Sequence, residues 1–502
     1  MKIKNILIVL TLFLYTNLTL GQYIEDALRY ARPQLKGTAR FVALGGAFNA
    51  LGGDLSAISE NPAAAAVFLH SELGISLNYT KNKIDAGYFN NFRNINSVAT
   101  NIDQFGIVFV MTNGSSDFSK LSFAYNFKAD QRFDSKFNAY GMNPTRGIDD
   151  YFLSYAKGVK FVNIEVAVDE SVPYVYQYLG ENIGFDAQQA FLGYQSFIIN
   201  PLSEVANNID YNSASNPQNN SLRHNFFVTE SGANKKHSFT ISSQYKDNLY
   251  LGMNINSYNS EFRRTDFMGE NNYGTGSEFI ETEFENELST LADGFSIQLG
   301  AIYKPSPNIR LGLSYQSPTW YSIQEELIQY VKTYRDSGIY EVEPKIINIY
   351  EYNIKTPSKL STGLAYIFGR KGLISFEYNL VNFQNIEFET KQGNDDYIDL
   401  NKEIKSTLKK ARSFRIGGEY RIEELSLRGG YFSDQNFNKT KPDFSKGYSL
   451  GIGYDFGGSN FSATLLKQKS ERTELIYQKG LDDPIDLKND QVQIVVTYSL
   501  KL

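Results

Sequence analysis

The side chains that could carry out acid–base or metal chemistry are few and lie far apart in this chain. It contains no cysteine, and its three histidines, His70, His224 and His237, do not have the spacing of metal ligands. No spacing pairs a nucleophile with a base. We therefore predict that the protein is not an enzyme and that it holds neither a metal nor a cofactor.

Two glycine pairs, Gly45-Gly46 and Gly52-Gly53, are the next candidates for a binding loop. A phosphate loop follows a strand and ends in Gly-Lys-Ser/Thr, and neither condition is met here. The pairs lie in a stretch, residues 32–70, that has no strand alternation and that contains Asn61-Pro62-Ala63. Glycine permits backbone angles that other residues avoid, and Asn before Pro is typical of a helix start. The stretch therefore predicts a compact plug of short helices and tight turns.

The composition indicates which kind of fold surrounds this plug. The 502 residues include 35 tyrosines and 36 phenylalanines, and the net charge is -6. A mean hydropathy of -0.35 is too low for a bundle of membrane helices. It suits a membrane β-barrel, where only every second residue faces lipid. No basic cluster with interleaved aromatic residues is present, so we expect no nucleic-acid partner.

The first 21 residues have the pattern of a signal peptide. Lys2 and Lys4 precede an apolar run that ends near Leu20, and small residues at the cleavage positions make Gln22 the expected new N-terminus. Because no cysteine is available for acylation, a lipoprotein is excluded.

Fourteen rows of alternating apolar residues follow the plug. A period of two is the signal of a strand, and the number of rows is even. We predict an all-β fold, a 14-stranded antiparallel transmembrane β-barrel over residues 72–502, with residues 22–71 as an N-terminal hatch inside its lumen. The rows cover residues 73–79, 105–111, 121–127, 239–245, 249–255, 295–303, 309–315, 360–368, 374–380, 414–420, 425–431, 448–456, 461–465 and 492–500.

The thirteen connections between the rows alternate strictly between short and long. Residues 304–308 are typical of the short ones, and residues 81–104 and 260–293 of the long ones. Outer-membrane barrels have short periplasmic turns and long external loops. We therefore predict a bacterial outer-membrane protein whose apolar rows face outer-membrane lipid. Both termini are expected to be periplasmic, and the C-terminal strand is expected to engage the outer-membrane assembly machinery.

The third connection is too long for a bare loop and predicts a helical insertion over about residues 129–236. Apolar residues recur at helical spacing over 148–156 and again over 187–198. Two interpretations remain open. The two helices form an apolar platform at the mouth of the barrel, or they pack on each other and on neighbouring loops.

Charged residues alternate with the apolar ones in several rows, so they are predicted to line the lumen. An unpaired charge in a narrow lumen is costly, and we expect these side chains to pair with one another or with the plug. They are Arg310, Glu377, Arg415, Glu419 and Arg428.

The combination of a signal peptide, Asn61-Pro62-Ala63 before the first strand, and fourteen strands with seven external loops resembles the FadL-type outer-membrane transporters. The run RFVALGGAFNALGGDLSAISENPAA, residues 40–64, is similar to their hatch. The resemblance implies passive uptake of hydrophobic small molecules, such as long-chain fatty acids, which external loops capture and a hatch-gated lumen transmits. It also implies a kink in the third strand that opens the wall sideways, but residues 121–127 contain no Gly or Pro. The hatch motif is assigned to Gly45, Gly46, Gly52, Gly53, Asn61, Pro62 and Ala63.

The residues expected to meet the ligand inside the barrel are Phe41, Leu44 and Phe48 of the plug. Two other functions are kept open. The same architecture could be a plugged scaffold of a protein-secretion system that binds a partner protein through the third connection. It could also be a haem-uptake receptor, although the scattered histidines give that alternative little support.

Overall fold

The fold is described from a computed structural model for residues 21–112, 116–215, 221–391, 397–440 and 442–502. Apart from Gly21, the predicted signal peptide lies outside the described residues. Among the helices of this part of the chain, none is long and apolar enough to cross a membrane.

Fourteen strands form a closed antiparallel wall in which each strand pairs with its neighbours along the chain. The last strand pairs with the first, from Glu72–Lys501 to Gly87–Asp486, and this ladder closes the barrel. Each predicted row lies inside one of these strands, with at most one residue beyond the strand end, which confirms the 14-stranded antiparallel barrel. Numbered in chain order together with seven shorter strands, the wall strands are β1 (Glu72–Tyr88), β2 (Asn91–Thr112), β3 (Phe118–Arg132), β7 (Leu222–Tyr245), β8 (Leu249–Asn271), β9 (Phe279–Tyr303), β10 (Ile309–Gln316), β14 (Lys359–Ile367), β15 (Gly372–Asn382), β17 (Lys410–Ile422), β18 (Leu425–Asp434), β19 (Asp443–Asp455), β20 (Ser459–Leu475) and β21 (Pro484–Lys501).

The shorter elements belong to the long connections. The strands are β4 (Ser135–Asn143), β5 (Ile199–Pro201), β6 (Tyr211–Ser213), β11 (Trp320–Arg335), β12 (Gly338–Val342), β13 (Asn348–Lys355) and β16 (Glu387–Thr390). The helices beyond the wall are α3 (Ile148–Ala156), α4 (Phe161–Ile164), α5 (Val172–Asn182), α6 (Phe185–Gln195) and α7 (Ile398–Thr407).

The apolar rows of the wall point outward. Along β1, Ile75, Leu77 and Tyr79 are 40 %, 50 % and 42 % exposed, whereas the intervening Ser76 and Asn78 are 0 % and 2 % exposed. A soluble barrel would bury its apolar rows and expose the polar ones. The opposite arrangement is the one expected of a wall embedded in lipid.

Two of the long connections are hairpins rather than loops, so their prediction as loops was wrong. Residues 81–104 continue β1 and β2 as far as a turn at Phe89 and Asn90, both with positive φ. Most of residues 260–293 continue β8 and β9 in the same way. Beyond the lipid the side chains no longer alternate between apolar and polar, but the backbone ladder needs no such pattern and continues.

The third connection contains helices as predicted, but over a shorter range than 129–236. Its ends belong to β3, β4 and β7, and the helices lie between residues 148 and 195. The faces of α3 and α6 are buried against each other, with Phe152 and Phe191 fully buried between them and the neighbouring strands. We call α3 to α6 the roof. Its apolar residues mainly pack on each other, which is the second of the two interpretations above.

The two ends of the described chain lie at opposite ends of the barrel. The Leu502 N–H donates to Ser71 O at the short-turn end, 2.8 Å away. The Tyr397 hydroxyl donates to Gln22 Oε1 at 3.4 Å, and Gly21 faces the ring of Phe185 in the roof. Residues 21–23 thus reach the long-connection end, whereas the N-terminus was expected at the short-turn end. The reason is that the helix Ile24–Ala31, which follows them, packs inside the barrel near the long connections.

The outward apolar rows make a prediction about membrane insertion. Ile452, at the middle of its row on β19, is 53 % exposed, and Phe92 in the β1–β2 hairpin beyond the lipid is 75 % exposed. Ile452→Arg should destabilise the folded barrel in vesicles by about 2–4 kcal/mol, because the charge enters the bilayer midplane. Phe92→Arg should change the free energy of unfolding little. Denaturant titration of the two variants refolded into vesicles measures this free energy, and equal destabilisation by both substitutions would contradict a wall embedded in lipid.

Candidate functional site

The N-terminal segment, residues 22–70, begins with a helix whose apolar face is buried. This helix, α1 (Ile24–Ala31), packs against residues that include Tyr321 of β11 and Tyr352 of β13, in the long connection between β10 and β14. Its Arg29 guanidinium lies 2.9 Å from Asp26 and 3.7 Å from Glu325. Burial raises the pKa of Glu325, the charge of Asp26 raises it further, and Arg29 opposes both.

Short helices and tight turns follow, as predicted for residues 32–70. Thr38 caps α2 (Ala39–Ala43) by accepting a hydrogen bond from the Phe41 N–H. Both glycine pairs have positive φ, 62° and 78° at Gly45-Gly46 and 63° and 64° at Gly52-Gly53, where other residues would be strained. Asn61 Oδ1 accepts from the Ala63 N–H at 3.1 Å and caps the 3₁₀ helix Pro62–Val67.

The backbone of this segment approaches the wall where the wall has no side chains. A Cβ on Gly312 would lie 2.5 Å from the carbonyl carbon of Asn49, and one on Gly430 would lie 2.5 Å from that of Leu44. These distances are too short for any side chain, so the approach requires glycine. Six further wall glycines face the segment at similarly short distances. Gly252, Gly363 and Gly417 face its backbone, and Gly74, Gly300 and Gly451 face the side chains of Leu55, Asn61 and Ala43. We call these eight wall glycines the glycine belt.

Backbone amides of the segment are hydrogen-bonded to inward side chains of the wall. Glu377 Oε2 accepts from the N–H groups of Phe48 and Asn49, each at 3.0 Å. The Asn49 amide group donates to Ser314 Oγ at 2.8 Å, and the Arg310 guanidinium donates to Leu51 O at 2.5 Å. Irregular backbone that cannot bond to itself is satisfied in this way.

Buried charges are neutralised between the segment and the wall. Glu419 lies 2.8 Å from both Arg40 of the segment and Arg428 of the wall. Conversely, Glu60 of the segment lies 2.9 Å from both Lys128 and Lys359 of the wall. The predicted pairing of lumen charges with each other or with the plug is thus confirmed for Glu419 and Arg428, and Glu377 and Arg310 contact the plug through its backbone.

A cavity of about 580 Å³ lies between the N-terminal segment and the roof. Its lining combines aromatic side chains with charged and amide groups, so it offers both apolar and polar contacts. Two tyrosines join its sides, since the hydroxyls of Tyr23 in the segment and Tyr155 in the roof are 2.7 Å apart. Burial raises the pKa of Tyr23 to about 12, which keeps this hydroxyl protonated. Apolar lining residues include Leu28, Tyr151, Tyr155, Phe185, Phe383, Phe432, Phe437 and Tyr477.

Arg415 is a cation on the wall of this cavity that makes no direct ion pair within the described part of the chain, although the charges of Asp434, Glu377 and Glu60 act on it from a longer distance. Its Nε makes no hydrogen bond among the described residues, and no described carboxylate lies within ion-pair distance of it. A Cβ on Gly46 would meet its guanidinium, so Arg415 lies where the cavity meets the glycine turn. Arg415 therefore departs from the expectation of paired lumen charges, and it can donate hydrogen bonds to an anionic group in the cavity.

The three residues predicted to meet a ligand are fully buried inside the plug. Phe41, Leu44 and Phe48 are at most 1 % exposed, and the rings of Phe41 and Phe48 are 5.4 Å apart. None of them lines the cavity. Their contact with a ligand requires movement of the segment and stays a prediction.

The helix α1, which contributes Leu28 and Ala31 to the cavity lining, was missed in the sequence although a signal was present. Ile24, Ala27, Leu28 and Ala31 have the spacing of one helical face, and all four are buried. Charged cavity residues such as Arg264 and Glu325 could not be found, because they lie in segments beyond the lipid where no alternation marks them as inward.

The seam between β2 and β3 ends within the wall. Their pairing stops at Gln104–Lys128, and β3 is irregular between Ala129 and Gln131. Above this point β2 pairs only with β1. Gln34 of the segment covers the opening, since its N–H donates to Asp130 O and its amide group donates to Arg132 O, both at 2.9 Å.

Comparison with solved structures identifies the fold as that of FadL-type outer-membrane channels. The CymD monoaromatic hydrocarbon channel superposes with a TM-score of 0.50 and 11 % identity over 94 % of this chain and 99 % of that chain. A Pseudomonas aeruginosa FadL homologue superposes with a TM-score of 0.52 and 11 % identity, and the toluene transporter TodX of P. putida with a TM-score of 0.51 and 14 % identity. Each of these two matches covers 93 % of this chain and 99 % of the other.

Identities of this size show a shared fold. No family model matches the sequence, and no curated protein matches it. The three solved structures are described as a channel, a FadL homologue and a transporter, and none of these descriptions names an enzyme.

The close approach at the glycine belt can be tested by substituting one belt glycine, with the glycine next to it on the strand as the control. Gly430 on β18 faces the segment, whereas a Cβ on the adjacent Gly429 would have 3.7 Å to its nearest neighbour. Gly430→Ala should weaken docking of the segment by about 1–3 kcal/mol through overpacking. We expect faster proteolysis of residues 22–70 and greater ion conductance in planar bilayers. Gly429→Ala should leave both unchanged, and matching behaviour of the two variants would contradict the close approach.

Proposed function

We propose that this protein takes up hydrophobic small molecules passively across the bacterial outer membrane. The observation that carries the proposal is the cavity of about 580 Å³ with aromatic lining, enclosed by a lipid-facing barrel and lying between a roof and a close-packed N-terminal segment. Solved structures of the same fold are described as transporting toluene or conducting monoaromatic hydrocarbons. A cavity of this size accommodates a small apolar or amphiphilic molecule.

In this proposal residues 22–71 act as the hatch after removal of the signal peptide, with the C-terminus on the periplasmic side and residues 21–23 at the long-connection end. A ligand enters past the roof and occupies the cavity above the hatch. The glycine pairs Gly45-Gly46 and Gly52-Gly53 are the points at which the backbone can rearrange most easily. A local shift there would uncover Phe41, Leu44 and Phe48 to the ligand.

In this proposal the ligand leaves the barrel through the opening between β2 and β3, where the pairing of the two strands stops. Gln34 covers this opening with two hydrogen bonds to the β3 backbone, and Arg132 of β3 spans it by donating to Asp103 Oδ1 at 2.9 Å and to Ile102 O at 3.0 Å on β2. A lateral path into the membrane therefore needs a shift of the hatch that removes Gln34 together with a movement of the Arg132 side chain. The absence of Gly or Pro in residues 121–127 does not argue against this path, since the irregularity lies just beyond them at Ala129 and Gln131.

Arg415 favours an amphiphile with an anionic head group over a neutral hydrocarbon. The guanidinium lines the cavity, and its Nε has no hydrogen-bond partner among the described residues. A carboxylate beside it would form charge-assisted hydrogen bonds while its chain packs on the aromatic lining. A long-chain fatty acid satisfies both conditions.

Uptake of a labelled fatty acid by cells that carry or lack the gene tests the function. We expect uptake to fall on deletion and to return with the intact gene. Unchanged uptake combined with failed protein secretion would favour the scaffold alternative. Uptake of haem would need ligands of another kind, and no histidine lines the cavity among the described residues.

The role of Arg415 is tested by its own substitution. Arg415→Met should weaken binding of a fatty acid at least about tenfold, because a hydrogen bond to a charged group contributes about 1.5–3 kcal/mol. Binding of the alcohol of equal chain length should be unchanged. Arg412→Met is the matched control, since Arg412 lies on the same strand but is exposed on the outer face. Calorimetry of the purified protein measures all combinations, and equal loss for acid and alcohol would contradict an anion contact.

A further inference from the structure

A buried cluster of acidic side chains and one histidine lies where the roof begins, outside the cavity. The Ile148 N–H, in the first turn of α3, donates to Glu270 Oε2 at 2.9 Å. His224 Nε2 lies 2.8 Å from the same oxygen, and its Nδ1 lies 2.8 Å from the Tyr88 hydroxyl. These contacts attach the start of α3 to β1, β7 and β8.

Two carboxylate oxygens in this cluster have no hydrogen-bond partner among the described residues. They are Asp149 Oδ1 and Glu270 Oε1, on side chains that are 4 % and 0 % exposed. Both face the space left by the missing side chain of Gly147, at 2.5 and 3.2 Å from the position that its Cβ would take. The two unsatisfied oxygens therefore converge on one small buried space.

The groups around this space do not neutralise two negative charges. Asp150 accepts from the Gly147 N–H, and Asp483 accepts from Asn143, so both add negative charge nearby. Tyr273 and Tyr88 are neutral phenols, and Arg146 is paired with Asp482.

A proton on Asp149 would turn its carboxylate into a hydrogen-bond donor and remove one negative charge from this space. A buried carboxyl group beside another carboxylate favours its protonated form. Burial and the charge of Glu270 together raise the pKa of Asp149 to about 6, although a hydrogen bond from Ser213 opposes the shift.

We propose that Asp149 carries a proton when the roof is docked and that this proton holds the first helix of the roof in place. Because Asp149 binds its proton more tightly in the docked state than in the released state, docking is favoured at low pH. This stabilisation is lost as the pH rises through the pKa of the docked form.

The consequence reaches the cavity through α3, which contributes Tyr151 and Tyr155 to its lining and contacts Tyr23 of the N-terminal segment. A roof that loosens above mildly acidic pH would admit ligand more readily. Only this consequence rests on the proposed function, because docking of α3 can be measured without ligand.

Hydrogen exchange of the full chain in detergent, followed by mass spectrometry over residues 148–156, tests the proposal. The exchange rate of these amides is first divided by the intrinsic rate at each pH. In the native protein this ratio should rise about tenfold or more between about pH 5 and about pH 7.5. Each unit by which the pKa of Asp149 differs between the docked and the released state changes the docking equilibrium by a factor of ten. Asp149→Asn removes the titration and keeps a donor, so its excess exchange should stay low and flat. Asp149→Ser likewise removes the titrating group and keeps a donor, and it serves if Asp149→Asn does not fold.

Asp169→Asn is the matched control, because Asp169 is an exposed acid of the same insertion. It should retain the native pH profile. The same profile in Asp149→Asn and in the native protein would overturn the proposal. Protection of the native protein at neutral pH by millimolar calcium, absent in Asp149→Asn, would also overturn it, since the two oxygens would then bind a cation.

Discussion

The structure depends on the close contact between an irregular backbone and a barrel wall that carries no side chains at the points of contact. Eight glycines on eight wall strands form the belt, and at each of them a Cβ would collide with the N-terminal segment. Glycine weakens a strand, by roughly 0.5–1 kcal/mol relative to alanine. The wall tolerates this cost because each strand is paired on both sides, and in return the segment packs against the wall from many directions at once.

Charge compensation limits how far such a segment can move. Glu60 and Glu419 each bridge two cations across the contact between the segment and the wall. Breaking one buried pair costs about 3–5 kcal/mol, whereas binding of a ligand with micromolar affinity provides about 8 kcal/mol. Expulsion of the whole segment would break several pairs and lies beyond what one ligand can drive. A local rearrangement near the glycine turns, which leaves most of these pairs intact, is consistent with the energies.

The two ends of the cavity are mechanically connected. The N-terminal helix lines the cavity from inside, the roof covers it from outside, and the hydroxyls of Tyr23 and Tyr155 join the two. A movement of the roof would thus reach the N-terminal segment through a direct contact. The proposed proton-dependent start of the roof helix and the proposed local movement of the segment would then be two parts of one path from the outside to the lumen.

The wall strands were predictable from the amino-acid pattern because lipid imposes an alternation that any strand crossing it must carry, and the fourteen rows follow from that constraint alone. The turns at Gly45-Gly46 and Gly52-Gly53 and the cap at Asn61 were also predictable, since they depend on local backbone preferences. The hairpins of residues 81–104 and 260–293 were not, because outside the lipid nothing forces the side chains to alternate. The cavity and the lack of a direct ion pair at Arg415 could not be predicted either. They depend on which inward side chains of distant strands meet across the barrel, and that arrangement exists only after the wall has closed around the segment.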